Sequence, residues 1–172
     1  RERRRTRWPC WSRRAVPDLV ILIVSHNTRH LLKTCVRSLH DFPPRIPHEI
    51  IVIDNASDDG SADEVRSRWP DVRVIALDTN VGFARANNEG IRHSTSELIL
   101  LLNSDTVVNA GAIDRLVQAL RELPGASIVG PRLVDGNGDP ELSFGRMIGP
   151  FQELRQQAIA RIGGRRMITA MT

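Results

Sequence analysis

The sequence predicts an α/β protein with a mostly parallel sheet and helices on both faces, and three observations carry that expectation. Short apolar runs alternate with helix-period segments, strand then helix, four times between residues 19 and 120. Such alternation implies right-handed crossovers and parallel strands. The runs are continuous rather than alternating, as expected of strands buried on both faces. Each run also breaks abruptly into a polar turn. Parallel strands deliver those turns to one edge of the sheet, the edge where open α/β sheets bind ligands.

Residues 1–17 show no usable period and are crowded with Arg, so they are expected to form a basic tail. Residues 19–24 form the first strand, ended by Ser25-His26-Asn27-Thr28. Over residues 29–40, Leu31, Leu32, Cys35, Val36 and Leu39 fall on one helical face. Three prolines make residues 41–47 a loop. Residues 49–53 are the second strand, followed by the exit turn Asp54-Asn55-Ala56-Ser57-Asp58-Asp59-Gly60. Ser61 and Glu64 stand in capping-box register, which opens a helix ending near Trp69, before Pro70. Residues 72–77 are the third strand. Asp78-Thr79-Asn80-Val81-Gly82 follows, then a helix over 83–93 with Ala84, Ala86 and Ile91 on its apolar side.

The fourth strand is the most emphatic run, Leu98-Ile99-Leu100-Leu101-Leu102, and it breaks at Asn103-Ser104-Asp105. It is expected in the middle of the sheet, covered on both faces. A helix carrying Ala112, Ile113, Leu116, Val117 and Leu120 comes next and stops at Pro124-Gly125. A fifth strand is expected at 127–129, a turn at Asp135-Gly136-Asn137-Gly138, and a further helix at 151–162.

The chain has 172 residues, 41% hydrophobic and 26% charged, which suits one soluble globular domain. No apolar run is long enough to span a bilayer. No apolar core and cleavage site follow the basic start, so a signal peptide is not expected. Cys10 and Cys35 lack metal-ligand spacing and fit free thiols in a reducing compartment. The formal charge of +4 reflects Arg-rich ends, at residues 1–14 and at Arg161, Arg165 and Arg166. Such ends suit solvated tails, or a peripheral contact with an anionic membrane surface. No basic patch interleaved with aromatics runs through the middle, so no nucleic-acid partner is expected.

The shared edge would gather Ser25, His26 and Asn27; Asp54 and Asn55; Asn80 and Gly82; and Asn103 and Asp105. There is no Ser-His-Asp order, no Cys-His pairing and no His/Cys metal cluster, which gives nucleophilic catalysis little support. The Gly-x-Gly-x-x-Gly dinucleotide fingerprint is absent after the first strand. A carboxylate such as Asp105, beside an amide and a hydroxyl, can hold a hard cation through oxygen, and a polar turn leading into a helix would look the same.

Four blocks in order carry a family resemblance: Val24-Ser25-His26-Asn27; Val52-Ile53-Asp54-Asn55-Ala56-Ser57-Asp58-Asp59-Gly60-Ser61; Asn80-Val81-Gly82-Phe83-Ala84-Arg85-Ala86-Asn87-Asn88-Glu89-Gly90; and Leu101-Leu102-Asn103-Ser104-Asp105-Thr106. Over residues 19–140 the chain resembles the family 2 glycosyltransferases, with its nearest look to rhamnosyltransferase-like bacterial members. The resemblance implies a GT-A (Rossmann-like) fold in a nucleotide-sugar-binding domain at 18–140, with 141–172 as a helical C-terminal extension. It implies inverting, metal-assisted transfer from a UDP- or dTDP-sugar to an acceptor hydroxyl. The acceptor would be a glycan or a lipid-linked glycan of the cell envelope. The setting would be the cytoplasm, or the cytoplasmic face of the inner membrane.

Residue by residue, the resemblance implies that Asp54 bonds the base or ribose of the nucleotide, with Asn55 alongside it. Asp105 would hold Mg²⁺ or Mn²⁺ against the diphosphate. Ser25, His26 and Asn27 match the loop enclosing the base, and Gly82 and Asn88 border the donor. Plainer roles stand beside these: a capping aspartate at 54, a positive-φ glycine at 82, a helix-surface amide at 88 and a solvent-facing imidazole at 26. The chain departs from the pattern at His26, where an aromatic is usual, and at Asn103, where a fuller motif has a first Asp. After Pro140 the only carboxylates are Glu141 and Glu153, neither in a base motif. The chain is therefore expected to be a donor-binding half with the general base unidentified. The alternative is a non-catalytic nucleotide-sugar-binding module.

Overall fold

The computed structural model describes residues 17–135 and 140–141. The N-terminal tail with Cys10, most of the turn expected after Asp135 and the helix expected at 151–162 lie outside the described residues. Two compact units divide at Pro124 and Gly125.

The first unit runs β1 (Leu19–Ser25), α1 (Arg29–Asp41), β2 (His48–Asp54), α2 (Ser61–Arg68), β3 (Arg73–Ala76), α3 (Phe83–Arg92), β4 (Leu98–Asn103) and α4 (Ala112–Glu122). Its four strands are all parallel, in the order β3-β2-β1-β4. From β1 the chain builds outward through β2 to β3, then returns past both to place β4 on the far side of β1. With right-handed crossovers, reversing direction moves the connecting helix to the opposite face. Accordingly α1 and α2 pack on one side, where Leu32, Cys35, Val36, Leu39 and Val65 meet Leu19, Ile21, Ile23, Ile50 and Val52. Helix α4 joins that side through Ile113 and Val117. Among the described helices α3 alone lies on the other, with Ala86 against Val20, Leu22, Val24, Ile51 and Ile53.

That approach is close. A Cβ built on Gly90 would stand 3.1 Å from both Leu22 methyls and 3.2 Å from Ile53 Cγ1. The reversal also puts the switch point of the sheet between β1 and β4, where open α/β sheets bind ligands.

β1 is fully buried along its length, and β2 from Ile50 onward, as their continuous runs predict. β4 departs from expectation. Among the described residues it is the edge strand, not a central one, and only one of its faces is covered: Ile99 is 39% and Leu101 51% exposed. The cause is topological, because α3 spans β1 and β2 and leaves the same face of β4 open. The register places Ile99 beside Val20 and Leu101 beside Leu22, on the α3 side.

Three smaller corrections follow from local geometry. Leu31 lies 46% exposed, one position off the buried stripe of α1. The capping box does not form: Gly60, left-handed at φ 77°, is the N-cap of α2, and Glu64 turns instead to basic neighbours. No strand forms at 127–129. In the second unit the described strands are β5 (Leu133–Val134) and β6 (Pro140–Glu141), paired antiparallel. Among the described residues no helix is long and apolar enough to cross a membrane.

Candidate functional site

The carboxyl ends of the four strands form one polar edge, and hydrogen bonds stitch its loops together in spatial order. Ser25 and Asp54 are the last register pair of β1 and β2, and Val24 faces Asn103 across the β1–β4 pairing. Asp54 and Asp105 therefore flank β1 on the same edge, on strands two spacings apart, about 10 Å. From the β3 side, Asn80 Oδ1 accepts from Asn55 Nδ2 at 2.9 Å. Across β2 and β1, the Asn27 amide donates to Ser57 Oγ and the Asp58 amide to Asn27 Oδ1, both at 3.0 Å. On the β4 side, the Thr28 hydroxyl bonds Ser25 Oγ at 2.8 Å and Ser104 Oγ at 3.1 Å.

This stitching separates residues committed to the frame from residues left to meet a ligand. Asn55 is buried and both ends of its amide are engaged, since Oδ1 also accepts from the Val81 amide at 2.9 Å. Asn27, at φ 53°, locks two loops together; Asn is one of the few non-glycine residues that tolerate that conformation. Ser25 is buried and bonded to Thr28. His26 is exposed between them. Gly82 has φ 83° and ψ 160°, a region open essentially to glycine, and its amide donates to Asn80 Oδ1.

Asp54 is 3% exposed. Its Oδ2 accepts from the Ser57 amide at 3.3 Å, while Oδ1 is buried and has no hydrogen-bond partner among the described residues. A buried acceptor without a donor is costly. Asp54 stands at the carboxyl edge of the sheet, the edge at which open α/β sheets bind ligands.

The β4 exit turn carries Asn103, Ser104 and Asp105. Asn103 and Asp105 are exposed, and the Asp105 carboxylate makes no hydrogen bond or ion pair among the described residues. The turn rests on α1: the Cys35 thiol donates to Asn103 O across 3.6 Å, and the Val108 amide donates to Ser38 Oγ at 3.0 Å. Burial, with the Asp105 charge adding to it, pushes the Cys35 thiol up to about 12. No group of three or more His, Cys, Asp or Glu gathers as a metal cage among the described residues. A hard divalent cation fits Asp105 as one carboxylate ligand, with phosphate oxygens and water completing its shell.

Asn88 stands exposed on α3, whereas its neighbour Asn87 is buried and donates to Phe83 O at 3.0 Å. The sequence places Asn80, Ser57 and Ser104 at strand ends but does not show that they and Thr28 join the loops through their polar groups. Their common signal is a hydroxyl or amide within a few residues of a strand end, where side chains compensate loop backbone groups.

A family model described as Glycosyl transferase family 2 matches residues 20–168. An N-acetylglucosaminyl-diphospho-decaprenol L-rhamnosyltransferase of Mycobacterium tuberculosis is 28% identical over 127 residues, covering 61% of this chain and 41% of that protein. A low-salt glycan biosynthesis hexosyltransferase, Agl10, of Haloferax volcanii is 30% identical over 130 residues, covering 72% and 39%. The chain thus spans about two fifths of the length of these relatives. Among solved structures, a mannosyltransferase from Pyrobaculum calidifontis, in complex with GDP-Man and Mn²⁺, superposes with a TM-score of 0.56 at 24% identity, over 64% of this chain and 34% of that one. The sheet and its flanking helices thus have the GT-A architecture, and the chain belongs to glycosyl transferase family 2.

Proposed function

We propose that this domain is the donor-binding half of an inverting, metal-assisted glycosyltransferase that uses a nucleotide-diphosphate sugar, a UDP- or dTDP-sugar in the first instance. The observation that carries the reading is the unpartnered, buried Asp54 Oδ1, on the same sheet edge as the free Asp105 carboxylate. In this reading Asp54 Oδ1 accepts a hydrogen bond from the base or ribose. His26 lies against the base, and the loops bearing Ser25, Asn27, Asn55, Gly82 and Asn103 give the pocket its shape. Asn88, exposed on α3, borders the sugar side. Asp105 holds Mg²⁺ or Mn²⁺, and such an ion neutralises charge developing on the leaving diphosphate.

In the transfer the acceptor hydroxyl oxygen bonds the anomeric carbon as the bond to the diphosphate oxygen breaks. The hydroxyl proton passes to a general base within hydrogen-bond reach of the acceptor. The named activity of the mycobacterial relative supports a lipid-linked acceptor of the cell envelope. Work on such an acceptor would bring the domain to the cytoplasmic face of the inner membrane, with the basic ends as peripheral contacts.

Calorimetry with UDP, dTDP and GDP, each with and without Mn²⁺, tests the reading. Binding that strengthens with Mn²⁺ is expected, and no binding of any of the three would overturn it. Turnover of a bound sugar nucleotide would separate an active transferase from a binding module.

A further inference from the structure

We infer that Arg29 is a positioning residue for the nucleotide: together with Asp59 and Glu64 it clamps the β2 exit loop in the conformation that presents Asp54. The inference rests on the donor-binding reading above and adds a residue to it. That loop is not self-supporting. Ala56 is held at φ 62° and Gly60 at φ 77°, and a left-handed alanine persists only where its surroundings over-determine it.

What surrounds it is the first turn of α1. Thr28, the N-cap of α1, makes no side-chain cap bond. Instead the Arg29 amide, one of the helix's unsatisfied first donors, gives its hydrogen to Asp59 Oδ2 at 2.8 Å, so the loop caps the helix. The other oxygen of Asp59 accepts from the Ser61 amide at 2.9 Å and from the Ser61 hydroxyl. The Arg29 guanidinium passes over Gly60, with Nη1 3.6 Å from where a Cβ would stand and 3.4 Å from Asp59 O. It ends on Glu64 Oε2, through Nε at 3.0 Å and through Nη2. Glu64, whose side chain is 11% exposed, is held from its other side by Arg68, and Lys33 Nζ lies 3.8 Å away. One side chain thus ties α1, the loop and α2 together.

Half of the Arg29 side chain is exposed, so its ion pair contributes little to global stability. Its effect is local, on the fraction of molecules whose loop is already in the binding shape, and apparent affinity scales with that fraction.

The test uses the full chain with Arg29→Met, Arg29→Lys and Glu64→Gln, and the Arg29→Met/Glu64→Gln double variant. Two readouts are taken: hydrogen exchange of the 55–60 amides, and UDP affinity in Mn²⁺. Arg29→Met is expected to quicken exchange in that loop alone and to weaken UDP roughly two- to fivefold, with the melting temperature near wild type. Arg29→Lys should recover little, because an ammonium cannot make the two-pronged contact. The double variant should be no worse than the poorer single one. Wild-type exchange in both Arg29→Met and Glu64→Gln would overturn the clamp, as would faster exchange with unchanged affinity. If the wild type binds no nucleoside diphosphate, the functional reading fails, and the exchange result alone decides whether the clamp exists.

Discussion

The thiol of Cys35 meets the main-chain carbonyl of Asn103 across 3.6 Å, so the turn that bears Asp105 is seated on the middle of α1. Thr28, the N-cap of α1, and Cys35 and Ser38 within the helix touch this turn or its continuation. A single helix therefore sets where the exposed carboxylate stands.

That contact has a pH signature. Burial raises the folded thiol to about 12 from an ordinary value of 9.0. Between those values the unfolded chain releases the proton while the folded chain keeps it, so stability is full below about pH 9 and falls as pH rises further. Chemical denaturation at pH 8 and pH 10.5 should show the loss, and Cys35→Ala should remove the thiol's share of it. An equal alkaline loss in the variant would contradict this account.

The acid limb has the opposite sign. The hydrogen bond from Arg29, with the Arg68 ion pair beside it, holds Glu64 below its ordinary value of 4.5 despite desolvation. Burial raises Asp59, but the bonds from Ser61 and Arg29 outweigh it and leave the group below 3.8. Both carboxylates favour the folded state above their unfolded values, and that support fades as pH drops through the folded ones. Glu64→Gln should flatten the fall of melting temperature as pH drops below about 4.5, the ordinary value from which Glu64 is lowered.

Asp54→Asn separates binding from folding. The buried Oδ1 has no partner to lose, so the variant should match or slightly exceed the wild type in melting temperature. Nucleotide affinity should drop by about tenfold or more, because an amide nitrogen pointed at the same donor cannot accept its hydrogen. A large loss of stability with affinity kept would make Asp54 a framework residue.

At Gly90 the close approach of α3 to the sheet can be measured directly. Gly90→Val forces new methyls into Leu22 and Ile53, already 3.1 and 3.2 Å from a bare Cβ. Overpacking of this kind costs about 1–3 kcal/mol, read from urea unfolding. A neutral result would mean that α3 lifts away without penalty.

Much of this arrangement was legible in the sequence. The unbroken runs of β1 and β2 encode burial on both faces, and the polar breaks at Ser25, Asp54 and Asn103 mark the edge where the loops meet. The position of β4 was not legible, because a run of five apolar residues reads the same at the edge of a sheet as at its centre. What differs is whether a helix reaches its second face, and that depends on strand order. The division of labour among the amides was hidden for a related reason. Asn27 and Asn55 have the composition of ligand-binding residues, yet their partners lie 25 to 31 residues away and appear only once the loops are side by side. The capping box failed because Arg29, also distant in sequence, competes for Glu64.

The central claim is that a divalent cation and a nucleoside diphosphate bind together between Asp54 and Asp105. Mn²⁺-induced broadening of backbone amide resonances, recorded with UDP present, tests it most directly. Broadening is expected to be strongest at Ser104, Asp105 and Thr106, weaker at Ser25 and Asn55, and to decline along the strands toward Leu19, His48 and Leu98. Asp105→Ala should abolish the pattern without changing the fold. Broadening centred on the opposite edge of the sheet, or an unchanged pattern in Asp105→Ala, would contradict it.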